Sequence, residues 1–185
     1  MVEVLVSVLV LAFGMLAVAG MQLTAIRTTQ QTAIQTTAME LVTEVADKMR
    51  ANAQVMGGPD SANPFIGLDF RASAANTAPA VSCVEVDSAC TPAQLALFDL
   101  FEWKKRMAVS IPGGRVVICY DENPWDVDAF SFRWECGMGG MSGSSKPIIV
   151  KLGWLAKDAT GRLERATAGG DFLPQVVMVV APYVK

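Results

Sequence analysis

The chain has no histidine among its 185 residues, so the commonest general base and the commonest metal ligand are both missing. No charge falls between Glu3 and Arg27, and residues 1 to 54 hold no proline and only two glycines, Gly14 and Gly20. The net charge of −3 is too small to ask for nucleic acid or an acidic substrate as a partner. The four cysteines show no C-x-x-C spacing, which excludes a zinc ribbon and a thioredoxin-like redox site. No serine or cysteine stands beside a base that could activate it. The expectation is a protein with no catalytic residues, no cofactor and no metal.

What is abundant is hydrophobicity, at 52% of the residues, and the excess sits in the first 26. Val4 to Met21 is apolar apart from Ser7, long enough as a helix to cross about 30 Å of bilayer hydrocarbon. Glu3 stands alone at the start of this run. A carboxylate there costs a few kcal/mol unless something neutralises it, so it reads as functional, with a partner to be named. Ala17-Val18-Ala19 before Gly20 would suit signal cleavage, but there is no basic region ahead of it and Glu3 occupies its place.

Helical patterning runs past the apolar block. A polar stretch, Thr28 to Thr32, leads into Ile34, Ala38, Leu41, Val42, Val45 and Met49 at spacings of three and four, with Glu44 and Lys48 in the favourable i,i+4 order. One helix of roughly 50 residues, about 75–80 Å long, is predicted, ending at Gly57-Gly58-Pro59. The chain then divides into residues 1–26, the hydrophobic half of the helix; 27–56, its amphipathic half; and 57–185, a globular α+β domain.

Residues 57 to 91 read as a long loop tied by Cys83 and Cys90. Thr91-Pro92 is a helix start, and Ala96, Leu97, Leu100, Trp103 and Met107 form its stripe up to Pro112-Gly113-Gly114. Four strands are predicted: Arg115–Tyr120, Phe130–Cys136 with strict alternation, Ile148–Leu155 and Gln175–Ala181. Short or Gly-rich connections such as Gly137 to Ser145 favour an antiparallel sheet. Of three possible connectivities, Cys83–Cys90 and Cys119–Cys136 are expected. The first closes a short loop ahead of the cap, and the second ties adjacent strands.

Other clusters read as structural. Asp121, Glu122, Asp126 and Asp128 crowd one loop but fit no calcium-loop spacing, so a solvated acidic loop is expected. Lys104-Lys105-Arg106 reads as the solvated face of a helix rather than a nucleic-acid contact. Trp103, Trp134 and Trp154 read as core.

Met1-Val2-Glu3-Val4-Leu5-Val6-Ser7 resembles the mature N-terminus of type IV pilins, where a glutamate is followed by about twenty apolar residues. Asp99-Leu100 with Glu102-Trp103, then Ile111-Pro112-Gly113-Gly114 leading to Cys119, resembles the minor pilins of the PilV type. The family's glutamate stands fifth in the processed chain and Glu3 stands third, so the expectation is that the numbering begins inside the mature protein or that two residues before Met1 were lost. The resemblance implies a long helix packed on a four-stranded antiparallel sheet, in a minor pilin held in the inner membrane with its C-terminal domain periplasmic, then built into an extracellular pilus. It implies as partners other minor pilins, the major pilin, a large tip adhesin, and the prepilin peptidase during processing. It also implies a role for Glu3 in subunit register, against a neighbour's N-terminal amine. The competing classes are a minor pseudopilin of type II secretion and a membrane-tethered periplasmic binding domain.

Overall fold

The computed structural model describes residues 2–85, 88–137, 147–156 and 172–180. The chain separates into two compact units, residues 1–36 and 37–185. One helix, α1, spans Val2–Ala51, so the absence of proline and the even helical patterning do yield a single uninterrupted helix of 50 residues.

In the second unit, α1 contributes Ala38, Leu41, Val42, Val45, Ala46 and Met49, all buried. Their spacing is that of one helical stripe, and fully burying each large member is worth about 1.5–3 kcal/mol. The helix ends six residues before Gly57. At Asn52 the backbone leaves helical geometry, while the Asn52 side-chain amide donates to the Lys48 carbonyl at 2.9 Å. A single further turn, α2 (Ala53–Met56), then reaches Gly57. Asparagine favours such local bonding to the backbone over helix continuation.

Helix α3 spans Pro92–Ser110 and opens with a full capping box. Thr91 Oγ1 accepts from the Gln94 N–H, and Gln94 Oε1 accepts from the Thr91 N–H. Its buried stripe is Ala96, Leu100, Trp103 and Met107. Leu97, predicted to belong to it, is 48% exposed, because it sits one residue off the stripe. Three side chains join α3 to the second half of α1. Trp103 Nε1 donates to the Leu41 carbonyl at 2.9 Å, Lys48 pairs with Asp99 at 2.8 Å, and Arg106 pairs with Glu44.

The main sheet is four-stranded and antiparallel, in the order β1 (Leu68–Arg71), β2 (Arg115–Tyr120), β5 (Ile148–Gly153), β6 (Val176–Val180). The fold is thus α+β, with a long N-terminal helix and an antiparallel sheet, as in pilins. The membership of the sheet differs from the expectation at two places. Strand β1 lies inside the stretch expected to be loop. Its signal is only four residues long, Leu68 and Phe70 alternating with Asp69 and Arg71, and composition around it hides it.

The second difference concerns Phe130–Cys136, predicted to be a sheet strand. Only Ser131–Phe132 (β4) pairs, and it pairs with Trp125–Asp126 (β3) in a separate two-stranded ribbon. Alternation misleads here because Ser131 is buried while Phe130 is 79% exposed. Beyond β4, the carbonyls of Arg133 and Glu135, which a ladder would use, accept instead from the Lys151 ammonium at 2.9 and 2.6 Å. The third predicted strand stops at Gly153, two residues early. Gly153 meets its surroundings closely, since a Cβ there would lie 2.6 Å from the Leu173 carbonyl oxygen. The Gly-rich stretch 138–145 and Ala181 lie outside the described residues.

Candidate functional site

Every described residue of α1 from Val2 to Ala33 is exposed. Leu5, Leu9, Phe13 and Leu16 lie among the exposed large hydrophobics, and together with the residues between them they cover the helix on all sides. A helix apolar all round is at home in lipid or in the core of a bundle. By length and composition this one suffices to cross a membrane. Gly14 and Gly20 have open space where a Cβ would stand, which leaves two shallow grooves along the helix. One lies beside Leu11 and Val18 and the other beside Ala17 and Thr24.

Glu3 lies in the first turn, where the positive end of the helix dipole favours an anion. Ser7 Oγ donates to the carbonyls of Glu3 and Val4 at 2.9 and 3.0 Å, so its hydroxyl is spent on the backbone. The same holds further along. Thr24, Thr28, Thr32 and Thr36 each donate to the carbonyl four residues earlier, at 3.0–3.1 Å or less, and Thr29 does so to Ala25. The stretch that reads as polar in the sequence therefore has much of its hydroxyl polarity bonded internally. The next charge after Glu3 is Arg27, about 36 Å along the helix.

The second unit carries the remaining sequence candidates. Its disulfides are Cys83–Cys90 and Cys119–Cys136, with Cα separations of 5.9 and 6.1 Å. Cys119 belongs to β2, whereas Cys136 lies on no strand, so this bond fixes a loop rather than two neighbouring strands. Among the described residues no cluster of His, Cys, Asp or Glu could hold a metal ion.

The expected solvated acidic loop is corrected at Asp121. That carboxylate is wholly buried and meets Lys151 Nζ at 2.6 Å, itself wholly buried. Lys151 uses its remaining donors on the Arg133 and Glu135 carbonyls, and Asp121 Oδ1 accepts from the Asn123 N–H. The sequence reading missed this pair. Its signal is a lysine in the middle of an otherwise apolar strand, Ile148 to Leu152. Asp126 accepts from the N–H groups of Asp128 and Ala129, and these two bonds hold its carboxyl below the usual range.

The basic triplet is divided as well. Lys104 lies over the Phe70 ring at 5.3 Å, and burial lowers its pKa. Arg106 pairs with Glu44, and Lys105 is exposed. Trp103, Trp134 and Trp154 are buried. Trp134 Nε1 donates to the Phe172 carbonyl at 2.7 Å, and Arg115 lies over its ring at 4.6 Å. Arg115 also holds Asp69 through two hydrogen bonds, at 2.9 and 2.6 Å. That contact is the largest cause of a lowered Asp69 pKa.

A family model described as Tt1218-like, type IV pilin Tt1218, matches residues 20–101. The match runs from Gly20 through the buried half of α1 and β1 into α3. It includes neither Glu3 nor the stretch from Ile111 to Cys119. It supports the type IV pilin superfamily, which is structural and not enzymatic. Together with the single apolar N-terminal helix it is compatible with a membrane-anchored pilus subunit. No curated protein and no solved structure matches the chain.

Proposed function

We propose that this chain is a minor pilin of the type IV pilus. The observation that carries the reading is one continuous helix, Val2–Ala51, with two different surfaces. Its first half is apolar on every side behind a lone carboxylate. Its second half is buried by one stripe in a disulfide-bonded α+β domain. The first half suits storage in the inner membrane and later packing among the helices of other subunits. The second half holds the periplasmic domain to that anchor.

Glu3 is the register group. Desolvating a bare carboxylate among packed helices costs several kcal/mol, so a cation must lie close by. With Arg27 about 36 Å away, the remaining cation at that depth is the α-amino group of this or a neighbouring chain, and the resemblance to pilins points to the neighbour's. The pair would fix the axial position of an incoming subunit while leaving membrane insertion intact. The partners are other minor pilins in a tip or priming complex, the major pilin below, and a large tip adhesin, after processing by a prepilin peptidase.

The test is to shear cells expressing the tagged chain and probe the filament fraction. Recovery with the filaments supports the reading. Complete retention in the membrane, with filaments otherwise normal, would make the chain a tethered domain instead.

A further inference from the structure

Residues 133–136 lie as a strap on one face of the main sheet. Val117 and Lys151 are register partners on β2 and β5, so their side chains share a face, and Cys119, two residues along β2, shares it with them. Helix α3 meets the opposite face, where Lys104 lies over Phe70, the register partner of Val116. On the strap's face the Lys151 ammonium donates to the carbonyls of Arg133 and Glu135 at 2.9 and 2.6 Å. Between these two residues, Trp134 packs in a cluster with Val117, Cys119 and Phe172. The next residue, Cys136, is bonded to Cys119. One lysine thus holds the backbone on both sides of Trp134 and stops one residue short of the disulfide.

That anchor does not depend on the strap. Lys151 and Asp121 meet at 2.6 Å, both wholly buried, and they belong to β5 and to the residue that follows β2. The two sulfurs they serve are unequal. Cys119 is 7% exposed under the strap, whereas Cys136 is exposed, and attack by or on a sulfur requires access. The other disulfide, Cys83–Cys90, closes seven residues of a different loop.

We infer that Lys151 is the positioning residue for the Cys119–Cys136 bond, and that Cys136 is the sulfur through which thiol–disulfide exchange enters. With glutathione disulfide as oxidant, the Cys136 thiolate attacks one glutathione sulfur, forming a mixed disulfide and releasing one glutathione thiolate. The Cys119 thiolate then attacks the Cys136 sulfur, closing the protein disulfide and releasing the second. Two cysteines are oxidised, one glutathione disulfide is reduced to two thiols, and the two cysteine protons end on glutathione. Lys151 takes part in neither bond change. It keeps the two sulfurs within reach, which raises their effective concentration. The inference is independent of the pilin reading.

The test equilibrates the full chain in detergent micelles with reduced and oxidised glutathione, quenches with acid and maps both cysteine pairs by mass spectrometry. Asp121→Leu with Lys151→Met removes the anchor without leaving a buried charge. The effective concentration for Cys119–Cys136 should then fall about tenfold, while that for Cys83–Cys90 stays within about twofold. Met49→Ala, destabilised elsewhere in the same unit, should leave both pairs within about twofold. With Lys151 intact, Cys119→Ala should take up glutathione on Cys136 at least about tenfold faster than Cys136→Ala takes it up on Cys119. An unchanged Cys119–Cys136 value in the double variant, an equal fall of both pairs there, or a like fall in Met49→Ala would overturn the positioning role. Equal uptake by the two single-cysteine variants would overturn Cys136 as the point of entry.

Discussion

Residues 2–33 and 37–51 of α1 belong to one helix, yet Met15 in the first and Met49 in the second have opposite meanings. Met15 is 64% exposed and Met49 is 0% exposed. Hydrophobicity alone does not say what a helix buries. The apolar block of the first stretch, Val4 to Met21, runs all round the helix, so it has no preferred side to lay on a domain. The second has a stripe, and the domain closes on that stripe through Trp103, Asp99 and Arg106. The lesson is that apolar residues arranged on all sides serve other molecules, and apolar residues in a stripe serve the chain's own fold.

The domain side of this comparison is most severely tested at Lys151. Lys151→Met leaves Asp121 buried without its cation, and about 3–5 kcal/mol of stability should be lost. Denaturant unfolding of the full chain in detergent would measure it. Adding Asp121→Leu to Lys151→Met should recover only part of the loss, because it removes the uncompensated buried charge but leaves the Arg133 and Glu135 carbonyls and the Asn123 N–H without their partners.

The comparison itself is sharpened by one substitution made twice. Met49→Ala should cost about 2–5 kcal/mol, as expected for a truncated core side chain. Met15→Ala should change domain stability by less than about 0.5 kcal/mol. Equal effects in thermal melts followed by near-ultraviolet circular dichroism would erase the distinction between the two halves. Thr91→Ala, which removes the cap of α3, should fall lower, at about 1 kcal/mol.

The smallest effect is one of pH. The folded Asp69 carboxyl titrates below its unfolded value, chiefly because Arg115 donates to it. Its contribution is therefore present above the unfolded value and is lost as pH falls through the folded one. Asp69 is half-exposed, so solvent screens the pair. Asp69→Asn should lower stability at neutral pH slightly, by less than about 1 kcal/mol, and leave it unchanged in acid, which flattens the stability curve below about pH 4.

Much of this was legible in the sequence because it depends on local rules. Missing proline and regular spacing foretold α1, and Thr91-Pro92 foretold the start of α3. The long-range choices were not local. Phe130 to Cys136 alternates as a strand should, but a lysine thirty residues from Asp121 takes the carbonyls at 133 and 135. Strand β1 has too few residues to signal above its loop. Asp121 reads as one acid among four until β5 brings Lys151 over it. Glu3 was legible as an isolated charge, and the proposed function assigns its partner to another molecule.

Glu3 is also where the central claim meets its most direct test, quantified as the fraction of this protein recovered in sheared filaments for wild type and Glu3→Ala. The expected result is normal accumulation of Glu3→Ala in the inner membrane with recovery in filaments reduced at least about tenfold, the loss of roughly 1.4 kcal/mol or more of subunit docking. Wild-type recovery of Glu3→Ala would contradict it and leave apolar packing of the helix as the sole recruiting force.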